Sequence, residues 1–182
     1  MANRIGLKAQ GFALLMVAWL AIASGQALAQ EKHKYSFKAP PGTTKYGQTQ
    51  VLEVGDVPGH QVRLTETLSK YPGEAPVFAG VKVTEARGVL ASDYVQGSGN
   101  ALSYGVFTLE NGDRIHVRTT ILTQTSVGAD GGRRTAFSSV TTLTGGTGKF
   151  MNIRGTLRGN GFTDLKSGTS GTVTEGEYWF VK

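Results

Sequence analysis

The residues of this sequence that could do acid–base chemistry are carboxylates set among alternating apolar residues. In a β-strand, residues two apart point to the same face. Glu66 therefore shares a face with Leu64 and Leu68, and Glu85 shares a face with Arg87. That second face would also carry three valines, Val81, Val83 and Val89. A carboxylate enclosed by apolar side chains holds its proton more readily, so it can act as a general acid or base.

Two interpretations of these charged residues are compatible with the sequence. In the first, Glu66, Glu85 and Arg87 are candidate catalytic residues that also contact a ligand. In the second, Glu85 and Arg87 form an ion pair of structural value only, as many such pairs do.

Two further residues are candidate ligand contacts. Tyr104 shares a face with Leu102 and Val106, so its hydroxyl could donate a hydrogen bond to a bound molecule. His116 lies in the middle of a predicted strand, with arginines two residues away on each side. The three histidines, His33, His60 and His116, are interpreted as surface or hydrogen-bonded residues, and His116 is alternatively a ligand contact. The five predicted ligand-binding residues are Glu66, Glu85, Arg87, Tyr104 and His116.

Several classes of site are excluded by residue types and spacing. The chain has no Cys, so it can form no disulfide. It also has no thiolate that could act as a nucleophile or bind zinc. The three histidines show no metal-binding spacing, and we expect no metal site and no cofactor. The Gly-rich segment T-G-G-T-G-K-F at residues 144–150 departs from the G-x-x-x-x-G-K-[ST] phosphate loop. We therefore interpret Gly145, Gly146, Gly148 and Phe150 as a structural turn in which the ring packs beneath the glycines.

The elements that must position these residues are short strands. No stretch keeps a helical apolar period, whereas alternating runs recur between turn residues. The clearest turn signal is Asn111–Gly112, which favours a type I′ hairpin. Eight strands joined by short loops imply an antiparallel sheet, and eight is a number that closes into a small barrel. The predicted strands cover residues 48–55, 59–68, 80–94, 100–109, 113–126, 134–143, 154–162 and 171–181.

The turn segment and several hairpin segments resemble one protein superfamily. The motif at residues 144–150, followed by R-G-T at 154–156, resembles the G-G-T-G-x-F … G signature of allene oxide cyclase and dirigent barrels. D-Y-V-Q-G-S-G at 93–99, G-V-F at 105–107 and N-G-D at 111–113 resemble bacterial members of that superfamily. The resemblance implies an all-β, eight-stranded antiparallel calycin-like β-barrel, often trimeric, with an apolar ligand cavity. It implies no single activity, because the superfamily holds both cyclases and proteins that direct coupling without catalysis of their own.

The start of the chain has the pattern of an export signal. Arg4 and Lys8 precede an apolar run at residues 11–23, and A-L-A at 27–29 is a small-x-small cleavage site. This order predicts a secretory signal peptide at residues 1–29 and a periplasmic or secreted bacterial protein. The apolar run is shorter than the roughly 20 residues of a membrane span, so we expect no stable membrane insertion.

Beyond the signal peptide, residues 30–46 are polar and predict an extended N-terminal arm, and residues 47–182 form the predicted barrel domain. The signal peptide holds two basic residues and no acidic one, so its removal lowers the net charge from +6 to +4. The remaining basic residues are scattered, which argues against nucleic-acid binding.

We therefore expect an exported small β-barrel that binds a small, largely apolar molecule in the barrel cavity. The alternatives are a cofactor-independent isomerase or cyclase of the allene oxide cyclase type, and a non-catalytic interaction protein with a filled core. A homotrimer is what the resemblance implies.

Overall fold

The structure, a computed structural model, describes residues 30–129, 131–164 and 169–182. The predicted signal peptide lies outside the described residues. A single short 3₁₀ turn, Gly148–Phe150, accompanies the strands of the described part. The strands are β1 (His33–Ala39), β2 (Thr44–Glu53), β3 (His60–Lys70), β4 (Val77–Phe78), β5 (Val81–Val95), β6 (Ser98–Leu109), β7 (Arg114–Val127), β8 (Arg133–Gly146), β9 (Ile153–Asp164) and β10 (Thr169–Phe180).

All the strands belong to one curled antiparallel arrangement. The order across the sheet is β1-β10-β9-β8-β7-β6-β5-β3-β2, and β4 pairs with β5 beside this path. The all-β antiparallel prediction is confirmed, and each of the eight predicted strands is present with ends that differ by a few residues. The prediction that eight strands close into a barrel is wrong. The sheet has ten strands, and its order begins at β1 and ends at β2 without a pairing between them.

The first strand comes from the stretch that the sequence predicted as a polar arm. β1 pairs with β10 along its whole length. Its alternation places Tyr35 in the core, stacked on Phe78 with ring centres 4.9 Å apart, while Lys34 and Lys38 point to solvent. The lysines dominate the composition of this segment, and they conceal a period-two pattern of inward-facing rings.

The hydrophobic core lies on the inner face of the sheet, at one end. Phe78, next to the tight turn after β4, is fully buried and packs against Tyr35, Phe107 and Tyr178. The hydroxyl of Tyr178 accepts a hydrogen bond of 2.7 Å from the backbone N–H of Ala79. This contact ties the β4 turn to β10, on the far side of the core. The other buried apolar residues of this cluster are Val83, Leu109, Ile115, Val117, Leu143, Phe150, Ile153 and Leu157.

Further from the core, the inner face is lined by hydroxyl groups. Thr119 bonds Thr141 at 2.9 Å, and Thr125 bonds Thr135 at the same distance. These pairs lie on neighbouring strands of the β7–β8 hairpin, where cross-strand threonines satisfy each other. These four threonines therefore act as structural partners within the sheet.

A β-bulge in β5 changes which residues share a face. The register between β5 and β6 shifts between Val83 and Glu85. Val83 is buried in the core, whereas Glu85 and Arg87 lie on the outer face. The sequence prediction that Val81 and Val83 share the face of Glu85, Arg87 and Val89 is therefore wrong. The extra residue of a bulge reverses the alternation beyond it.

Candidate functional site

A groove of about 700 Å³ crosses the outer face of the sheet, opposite the core. Four neighbouring strands, β3, β5, β6 and β7, supply most of its side chains. The groove is lined by the side chains that alternate along each strand with the inward-facing core residues. On β6, for example, Phe107 and Leu109 belong to the core region, whereas Tyr104 and Val106 line the groove.

One row of residues crosses the groove from end to end in strict register. Glu66 of β3 is opposite Val89 of β5, Val89 is opposite Tyr104 of β6, and Tyr104 is opposite Arg118 of β7. Because neighbouring strands lie 4.7–4.9 Å apart, the backbones of Glu66 and Arg118 are separated by about 14 Å. This row has a carboxylate at one end, a guanidinium at the other and an apolar middle.

A second row runs beside the first, one step nearer the core. It consists of Leu68, Arg87, Val106 and His116, again paired strand to strand. Thr144 of β8 lies beyond His116, and its hydroxyl donates to the backbone oxygen of His116 at 3.2 Å. The first row has an apolar middle and charged ends, whereas the second row begins with Leu68 on β3, carries Arg87 next to Val106 and ends with His116 on β7.

Glycine backbone lines the groove between β5 and β6. Gly88 and Gly105 are direct partners across these strands. A Cβ atom at position 105 would lie only 2.9 Å from the carbonyl oxygen of Arg87. Glycine is therefore needed at position 105 for the two strands to approach as they do.

The charged residues of the groove differ in their partners. Glu85 and Arg87 form an ion pair at the edge of the groove, in which Arg87 Nε and Nη2 both donate to the carboxylate. The guanidinium of Arg118 lies over the ring of Tyr104, 5.9 Å from its centre. Within residues 30–129, 131–164 and 169–182, neither Glu66 nor Arg118 has an ion pair or a side-chain hydrogen bond.

The structure brings the predicted site residues together, on the outer face. Glu66, Arg87, Tyr104 and His116 line the same groove, and Glu85 is paired with Arg87 beside it. The prediction placed the ligand in the interior of a barrel, whereas this groove is on the face turned away from the core. Arg118 was missed as a site residue. Its position two residues after His116 was the signal that could have found it, since the two share a face.

The Gly-rich turn is held by protein contacts. Gly148 has φ +49°, and a Cβ there would lie 2.1 Å from Asp113 Oδ1. The backbone N–H of Lys149 donates to Asp113 Oδ2 at 3.2 Å, and Phe150 is completely buried. Gly145 has φ +144°, and a Cβ at Gly146 would lie 2.2 Å from the carbonyl oxygen of Arg114. Each of these glycines thus has a steric reason to be glycine.

A second group of titratable residues lies near the β2–β3 turn. His60 Nε2 is 2.7 Å from Asp93 Oδ1, and His60 Nδ1 is 2.6 Å from Asp56 Oδ1. Hydrogen bonds to Asp93 and Asp56 raise the pKa of His60, and the hydrogen bond from His60 lowers the pKa of Asp56. The sequence analysis expected a surface or hydrogen-bonded histidine at position 60, but it could not identify these two partners.

In the part of the chain that the structure describes, no cluster of three or more His, Asp or Glu is arranged to hold a metal ion. None of the described residues forms a helix with the length and apolarity that crossing a membrane would require. Comparisons with family models, with curated proteins and with solved structures found no match to this chain.

Proposed function

We propose that this protein binds a small, largely apolar molecule carrying an anionic group, in the groove of the outer face. The observation that carries the proposal is Arg118, a guanidinium without an ion-pair partner among the described residues, at the end of an apolar groove. The groove volume of about 700 Å³ lies within the range of small-molecule sites.

The middle of the groove is suited to an apolar body. Leu68, Val89, Val106 and the ring of Tyr104 provide the contact surface. Val89 and Tyr104 are about half exposed or more in the free protein. Covering them with a ligand removes apolar surface from water, which favours binding by about 25 cal/mol per Å².

The β7 end of the groove is suited to an anion. Arg118 offers several donors in one plane, and that geometry matches a carboxylate. The Tyr104 ring restricts the guanidinium, so less side-chain freedom is lost when the anion binds. His116, two residues away on the same face, adds a further polar contact.

Octanoate is a suitable probe, since it joins a carboxylate to a short apolar chain. Calorimetric titration of residues 30–182 with octanoate should show binding that Arg118→Gln weakens about fivefold or more, because a charge-assisted hydrogen bond is lost. Arg158→Gln is the matched control, since Arg158 is an exposed arginine of the same outer face, away from the groove. The proposal is contradicted if both variants lose affinity for octanoate equally, or if neither variant loses affinity.

We further propose that the chain is exported and is a distant member of the allene oxide cyclase and dirigent superfamily. The motif at residues 144–150 and the signal pattern at residues 1–29 support this. On this proposal the native assembly is a homotrimer. Native mass spectrometry of the chain exported by a bacterial host tests both parts. A mature mass beginning at Gln30 and a trimeric assembly are expected, and an unprocessed monomer contradicts them.

A further inference from the structure

The carboxylate of Glu66 is the polar group at the β3 end of the groove, and it is left open on the side of β2. The register between β2 and β3 shifts between Tyr46 and Thr49, and Gly47 lies in this bulge. A Cβ at Gly47 would lie 3.3 Å from Glu66 Cβ and 3.4 Å from Glu66 Oε2. Glycine at this position therefore leaves room beside the carboxylate that a larger residue would take.

The nearest groove cation is already engaged. Arg87, on the strand next to Glu66, donates to Glu85 with two of its nitrogens. Arg118 lies three strands away from Glu66, over Tyr104. Within the described residues, Glu66 has no hydrogen-bond or ion-pair partner, so its carboxylate is available to a ligand.

We propose, resting on the binding function above, that the ligand is bifunctional: Arg118 binds its anionic end, and Glu66 accepts a hydrogen bond from a donor group at its other end. The single register row from Glu66 through Val89 and Tyr104 to Arg118 carries this inference. The ligand class is an extended molecule with an apolar middle, a carboxylate at one end and an ammonium at the other.

The separation of the two ends sets the length of this ligand. The backbones of Glu66 and Arg118 are about 14 Å apart, and the gap that the ligand must span depends on how each side chain leans over the sheet. Arg118 in particular leans towards β6, since it lies over the Tyr104 ring. Only a chain of intermediate length reaches both groups, so affinity depends on chain length.

The test compares two probes that differ at one end only. Octanoate and ω-aminooctanoate are titrated into residues 30–182 of the wild type, of Glu66→Gln and of Glu175→Gln. Glu175 is an exposed carboxylate of the same outer face on β10, away from the groove, and serves as the matched control. Circular dichroism verifies that each variant is folded. The hexanoate and decanoate analogues measure the length dependence.

The expected result is a preference of the wild type for ω-aminooctanoate of about threefold to tenfold. Glu66→Gln removes this preference, and Glu175→Gln keeps it. Octanoate binding without a preference in the wild type, or a preference that survives in Glu66→Gln, overturns the inference and leaves the binding function standing. Absence of binding of either probe to the folded wild type overturns both.

Discussion

The guanidinium of Arg118 lies 5.9 Å from the centre of the Tyr104 ring, across the β6–β7 pair. Both residues are exposed, and both line the groove of the outer face. The ring limits the positions that the guanidinium can take and presents an apolar surface beside it. Anion binding at the β7 end of the groove depends on this pair.

The first prediction concerns the ring. Tyr104→Phe keeps the aromatic face and should bind octanoate within about twofold of the wild type, whereas Tyr104→Ala should bind several-fold more weakly because Arg118 loses its support. Calorimetric titration measures both. Equal weakening in the two variants would show that the hydroxyl, and not the ring, is the binding element.

The second prediction concerns the contact between Tyr178 and the β4 turn. Tyr178→Phe removes the acceptor of the 2.7 Å bond from the Ala79 N–H and leaves that part-buried donor unpaired. The free energy of unfolding should fall by about 1–3 kcal/mol. Urea denaturation measures this change. Tyr104→Phe is the control, since its exposed hydroxyl has no protein partner among the described residues, and an equal loss in both variants would refute the role of the bond.

The third prediction concerns the Gly-rich turn. Gly146→Ala places a Cβ against the carbonyl oxygen of Arg114, and Gly148→Ala places one against the carboxylate of Asp113. Each should lower the free energy of unfolding by about 1–3 kcal/mol, because the neighbouring backbone must shift. The control is Gly73→Ala, where an added Cβ meets nothing within 4 Å and φ is not positive. Wild-type stability of both turn variants would contradict the structure of this turn.

The fourth prediction is a pH dependence that arises from His60. Its carboxylate partners, Asp93 first and Asp56 second, raise its pKa above the ordinary value of 6.5. The folded state therefore binds a proton more tightly than the unfolded chain, and the resulting stabilisation is complete below pH 6.5 and is lost as the pH rises through the folded pKa.

Thermal melts of the wild type and of His60→Gln between about pH 6 and pH 9 test whether the stabilisation by His60 decreases as the pH rises. The difference in Tm should be largest near pH 6 and should shrink by about pH 9. The lowered pKa of Asp56 acts in the opposite sense, because its stabilisation is present above 3.8 and disappears as the pH falls through the folded pKa. A Tm difference that grows with rising pH would contradict the His60 geometry.

The strands could be predicted from the sequence, because alternation and turn residues are local features. The hairpin at Asn111–Gly112 and the shared face of His116 and Arg118 are examples, and the structure has both. The predicted type I′ turn is wrong, because Gly112 has a positive φ and Asn111 does not. The bulge after Val83 could not be predicted, since it depends on how β5 pairs with β6. β1 was hidden by its lysines, although its inward positions are aromatic.

The groove could not be predicted from the sequence for a different reason. Glu66 and Arg118 are far apart in the chain, and they become ends of one row only through three successive strand registers. Alternation tells which residues share a face of one strand, but it does not tell which face of the sheet covers the core. The candidate residues were therefore identified strand by strand, and only the strand registers show that Glu66, Arg87, Tyr104 and His116 line one groove of the outer face.

The most direct measurement of the central claim is an NMR titration of isotope-labelled residues 30–182 with octanoate, which locates the ligand by amide shift changes. Binding in the outer groove predicts that the largest changes lie on β5, β6 and β7 around Val89, Tyr104 and Arg118. The contradicting result is that the largest changes lie at inward-facing residues of the hydroxyl-lined face, such as Thr123 and Thr141. The ligand would then bind on the inner face of the sheet and not in the outer groove.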